Sequence, residues 1–242
     1  MKRFWAMLAS LGLFLAIGCS TKNYDYRLER TLENMKYQKK LNENLNGPVA
    51  TGKLKELDIF LRPPKKLEGP TQAFQLTVVE PGRFDVENSF IEKNKQNLHV
   101  LARVKNLKPP VTKKGAPPVP KPTRGDFNTD VLDLLKNVYG VDIDIKKFKE
   151  ETKKKNVFKH STIDLDPKTL QVYLYGKKGD PYEVALIFEY PKTEHNALNP
   201  RIGFCLESFA VGDRAKRAFN GATSEEELDD TGGEETGAAP PI

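Results

Sequence analysis

The chain has 242 residues, 38% of them hydrophobic and 30% charged, with a formal charge of +6 and two cysteines. That length leaves room for one modest globular domain, and two cysteines exclude a disulfide framework. A Gly-x-Ser-x-Gly elbow, a phosphate-binding loop, His-Glu-x-x-His and a cysteine pair at metal spacing are all missing, so the chain reads as non-enzymatic, with no cofactor and no metal expected.

Residues 1–18 read as an export signal. Lys2 and Arg3 give a positive start, Phe4 to Ile17 an apolar run of 14 residues, and Ala16-Ile17-Gly18 the small residues before a cut. As a helix that run spans about 21 Å, short of the ~30 Å hydrocarbon core, which favours a removed signal over a permanent span. The segment Leu15-Ala16-Ile17-Gly18-Cys19 resembles the lipobox of bacterial lipoproteins, with Ala16 where the family usually has Leu. The resemblance implies acylation at Cys19 and a membrane anchor of two or more acyl chains, which hold a protein stably where one chain does not. Ser20 after the cysteine fits the family's sorting to the periplasmic face of the outer membrane. Ala16-x-Gly18 also suits the ordinary signal peptidase, which would leave Cys19 as a free N-terminal thiol.

Cleavage removes Lys2 and Arg3, lowering the charge to +4, and the last 21 residues carry seven acids and no base, so the body between them is near +11. An exported basic body points to anionic lipid headgroups, anionic wall polymers or an acidic partner, or serves solubility alone. Nucleic acid is not an expected partner of an exported chain.

After the anchor, Tyr24, Leu28, Leu32 and Met35 recur at helical steps, and Gly47-Pro48 ends the pattern, so residues 19–47 are read as lipid anchor plus an amphipathic helix over 24–45. That helix packs on its own domain, lifts it from the membrane or is offered to an envelope protein. Residues 48–221 are read as the main domain. Strands are expected over 57–61, 74–79, 83–91 and 98–104, with Pro63-Pro64 and Gly69-Pro70 interrupting regular structure between the first two. Residues 108–125 hold six prolines among lysines and read as an extended loop inserted in that domain.

A helix follows over 126–139, with Asp126 as N-cap, Phe127, Val131, Leu134, Leu135 and Val138 on one stripe, and Gly140 as stop. A second, very basic helix is expected over 146–156. The best strands are 157–163, 170–175, 182–190 and 201–209; in the third, Tyr182, Val184, Leu186, Phe188 and Tyr190 alternate with Glu183, Ala185, Ile187 and Glu189. Gly176 to Asp180 marks a hairpin, residues 211–221 a short closing helix, and residues 222–242 a disordered acidic tail.

Candidate site residues are few. Cys205 lies in an apolar run and reads as a buried, inert thiol. His99, His160 and His195 are isolated, and Asp142-x-Asp144 and Asp164-x-Asp166 lack the further oxygen ligands of a calcium loop. The fold expected is α+β: an antiparallel sheet of five to seven strands, with one or two helices on one face and the amphipathic helix in front. Its order of strands, helix and strands resembles helix-grip and photosystem-subunit-like sandwiches of some small envelope lipoproteins. The function expected is a membrane-anchored scaffold or accessory subunit of the bacterial envelope; the alternative is a module binding a lipid or other small ligand in a sheet–helix cleft.

Overall fold

A computed structural model describes residues 21–71, 82–105, 107, 124–177 and 179–221. Cys19, the expected strand 74–79, most of the proline-rich loop and the acidic tail fall outside these residues. The chain divides after Asn44 into two units. The first holds helix α1, Thr21–Asn44, 24 residues without Gly or Pro. Tyr24, Tyr26, Leu28, Leu32 and Met35 are all exposed on it. Among the described residues, no helix is long and apolar enough to cross a membrane.

The second unit is built on a seven-stranded, fully antiparallel sheet. Its strands are β2 (Glu68–Thr71), β3 (Val86–Glu92), β4 (Gln96–Val104), β5 (Lys149–Lys153), β6 (Asn156–Leu165), β7 (Lys168–Gly176) and β8 (Tyr182–Pro191), in the order β2-β3-β4-β8-β7-β6-β5. The alternation of β8 is read out in full: Val184 to Tyr190 is buried without a break, so β8 is a central strand covered on both faces. A short pair, β1 (Ile59–Phe60) with β9 (Ala210–Val211), lies outside this sheet. The edges differ from the centre. β2 carries Pro70, and every residue of it is exposed; β5 reads Lys-Glu-Glu-Thr-Lys.

The antiparallel α+β architecture expected from sequence is present, and helices cover both faces of the sheet. Helix α3 (Phe127–Tyr139) follows α2 (Gly52–Glu56) in the chain. Asp126 caps α3 by accepting from the Thr129 amide at 3.1 Å, and Gly140 closes it at φ 68°, a conformation glycine adopts without Cβ strain. Its Phe127, Val131, Leu134 and Leu135 pack on Leu101, Val172, Leu174, Ala185 and Ile187. Each side chain so buried contributes roughly 1.5–3 kcal/mol. Residues of opposite parity face the other way and form an aromatic layer: Phe158 meets Tyr173, Tyr175 and Phe209 with ring centroids 5.7–6.0 Å apart. Over this layer runs α4, His195–Ser208, with Leu198, Ile202, Cys205 and Leu206 buried. Helix α5, Asp213–Phe219, closes on β1 through Phe60, Ala215 and Phe219.

Three expected readings are corrected. Residues 201–209 are helix for most of their length, because Leu198, Ile202, Cys205 and Leu206 follow a helical step that begins before the run read as a strand. Residues 146–156 are a 3-10 turn (Ile145–Lys147) and then β5, whose residues pair with the start of β6. Lys154, at φ 52°, makes the two-residue turn between those strands. Residues 68–71, read as interrupted by Gly69-Pro70, form edge strand β2; a Cβ at Gly69 would sit 2.7 Å from the Ser89 carbonyl, so only glycine fits there.

Candidate functional site

The register of the sheet gathers polar residues on the face that α3 covers. Ser89 of β3 stands opposite His99 of β4, and Asn97 opposite Glu189 of β8. The Ser89 hydroxyl lies 2.8 Å from His99 Nδ1, and His99 Nε2 lies 3.5 Å from Glu189 Oε2, an electrostatic contact longer than a hydrogen bond. With Nε2 protonated toward the carboxylate, Nδ1 accepts from Ser89. Glu189 also accepts from Asn97 at 3.2 Å, from Tyr139 at 3.1 Å and from the Lys168 ammonium. The contact from His99, then those from Lys168 and Asn97, outweigh burial and hold the Glu189 carboxyl well below the usual carboxylate range. The same carboxylate, with burial as the larger cause, pushes the Tyr139 hydroxyl up.

Serine, histidine and glutamate in this order invite comparison with a hydrolase triad. Burial decides against it: Ser89 is fully buried and His99 is 6% exposed, so a substrate has no approach to the hydroxyl. The set is a polar network inside the core: register sets Ser89 opposite His99 and Asn97 opposite Glu189, and α3 adds Tyr139. Sequence reasoning missed it, although an acid near the end of the most regular strand was its visible signal.

A second buried cluster lies on the same face at the other end of the strands. Arg103 pairs with Asp130 and donates to the carbonyls of Gly125 at 2.9 Å and Arg83 at 3.0 Å. Its guanidinium lies 5.8 Å and 5.5 Å from the ring centres of Phe84 and Phe127. Asp130 receives a second cation, Arg83, at 3.1 Å. Next to it, Arg124 donates to Asp85 at 2.7 Å and to the Gly82 carbonyl at 3.2 Å. Chain entering at Gly82 and at Arg124 is therefore fastened to the start of β3 and the end of β4.

The remaining residues singled out in the sequence have local roles. Cys205 is fully buried, and burial pushes its thiol up, away from the reactive thiolate. His160 stacks on Tyr173 at 4.2 Å on the aromatic face; burial, partly offset by Glu151, lowers its pKa. His195 pairs with the Tyr190 hydroxyl at 2.9 Å. His99 faces α3, so the fold does not bring the histidines together. Asp144 caps the 3-10 turn by accepting from the Lys146 amide, and Asp142 pairs with Lys136. Asp164 accepts from Thr169, and Asp166 lies 3.9 Å from Lys192. Among the described residues, no group of three or more His, Cys, Asp or Glu could hold a metal ion.

Away from these clusters, the described residues form a groove of about 670 Å³ at the end of the sheet where β7 turns into β8 and β5 into β6. Val157 and Leu174 lie along it, and Lys155, Lys159, Lys177 and Arg214 supply cations. Its carboxylates are partly engaged: Glu183 pairs with Lys105 at 2.8 Å, and Asp180 accepts from the Tyr175 hydroxyl at 2.8 Å and from the Tyr182 amide at 3.0 Å. Burial, then the hydrogen bond to Asp180, pushes Tyr175 up to about 12.

No family model matches the chain, and no curated protein matches it. Among solved structures it is similar to the solution structure of cyanobacterial PsbP from Synechocystis sp., at 12% identity over 70% of this chain and 93% of that one. The TM-score is 0.40, and at that value the likeness carries no functional argument.

Proposed function

We propose that the protein is a lipoprotein of the bacterial envelope, acylated at Cys19, held on the periplasmic face of the outer membrane, and acting as a non-enzymatic scaffold or accessory subunit. The observation that carries this reading is the apolar face of α1: Tyr24 and Met35 are each more than 60% exposed, and Leu28 and Leu32 close to half exposed. Side chains of that size left in water mark a surface that a partner covers. The burial of Ser89 and His99 is in keeping with a non-enzymatic role.

Two measurements test the reading together. The intact mass of protein extracted from membranes should exceed that of a Cys19→Ala variant by the acyl chains, and the variant should move to the aqueous fraction. Co-purification after gentle solubilisation should lose a stoichiometric partner when Leu28, Leu32 and Met35 are all changed to Gln. An unmodified Cys19 ends the anchoring part, and an unchanged set of co-purifying proteins ends the scaffold part.

A further inference from the structure

We propose that the groove at the end of β6, β7 and β8 is a binding site for an acidic saccharide, a sugar chain carrying carboxylates. This stands whether or not Cys19 is acylated. A concavity of about 670 Å³ is of the size that holds a small ligand. The charges in it are unequal in availability. Among the described residues, neither Lys159 nor Lys177 has an ion-pair partner, and both are exposed. Arg214 is already aimed by its 2.9 Å bond to Asn156, leaving guanidinium donors in a fixed direction.

The acids distinguish a sugar from a simpler anion. Glu183 and Asp180 spend their charge on Lys105, Tyr175 and the Tyr182 amide, whereas Glu150, opposite Lys159 across the β5–β6 pair, lies open in the groove. A dense polyanion would be repelled by Glu150. A ligand with hydroxyl donors and sparse carboxylates satisfies both signs, hydroxyls on Glu150 and Asn128, carboxylates on Lys159 and Lys177. Val157, 51% exposed in the same groove, offers an apolar patch to the C–H face of a sugar ring.

The test is calorimetric titration of the full chain in detergent with three probes: a tetragalacturonate, the neutral maltotetraose and inorganic phosphate. The uronate should bind, and the neutral sugar and phosphate should each bind at least about tenfold more weakly. Lys159→Glu with Lys177→Glu should weaken uronate binding about tenfold, within what two semi-exposed charge contacts supply. Lys93→Glu, on the β3–β4 turn, removes the same kind of charge away from the groove and should change it less than about twofold. An unchanged thermal midpoint shows that the variants fold. Absence of uronate binding overturns the proposal, as does equal binding of phosphate or maltotetraose. Equal loss in Lys93→Glu also overturns it, because the attraction would then belong to the net charge of the body.

Discussion

The two faces of the central sheet are made by the same strands and solve burial in different ways. Under α4, the layer of Phe158, Tyr173, Tyr175 and Phe209 is held by ring contacts, and its polar atoms sit at side-chain tips. Under α3, an apolar centre is bracketed by two ionic clusters, Arg103 with Asp130 at one end and Glu189 with His99 and Lys168 at the other. Each buried charge there is matched by a partner that register or the α3 helix delivers. Burial of charge is tolerated only under that condition, since an unmatched partner keeps its full desolvation penalty. Both faces therefore rest on apolar area, but only the α3 face also depends on keeping its buried charges paired.

The largest way to break this contrast is Arg103→Ala. It removes a cation from Asp130 and two donors from the carbonyls of Gly125 and Arg83, and should cost about 3–5 kcal/mol in urea unfolding. A middle-sized effect is expected for Glu189→Gln, about 1–3 kcal/mol at neutral pH, because one amide cannot satisfy the donors that the carboxylate serves. Its sign with pH is fixed. Glu189 has a lowered folded pKa, so its stabilisation is fully present above the ordinary glutamate value of about 4.3 and is lost as pH falls through and below it. Wild-type stability should therefore decline on acidification below roughly pH 5, and the Gln variant should decline less over the same range. The smallest effect belongs to the aromatic face: Tyr173→Phe deletes the 3.0 Å bond to Gln171 and should cost only about 1 kcal/mol, with no dependence between pH 5 and 8. A Tyr173→Phe loss as large as that of Arg103→Ala would erase the distinction between the faces.

Much of this architecture is legible in the sequence where local signals agree with burial. Helix α3 has a capping acid, a stripe and a closing glycine, and β8 has strict alternation; both stand where the pattern puts them. The failures have physical causes. The run Ile202-Gly-Phe-Cys-Leu206 is too short for periodicity to separate a strand from a buried helix, and Pro200 inside α4 hides the turn that would settle it. Charged residues over 149–153 look helical in composition because an edge strand is half in water. The groove is illegible for another reason: Glu150 and Lys159 come from two strands that only the register sets opposite each other, and Lys177 comes from the turn after β7.

The two margins of the sheet decide how this molecule behaves in a crowd. A neighbouring chain seeking to extend the ladder meets at β2 a proline with no N–H to give, and at β5 four ionised side chains in five residues. Among the described residues, both margins therefore disfavour ribbon growth and strand exchange, and crowded copies of this sheet resist knitting into fibrils.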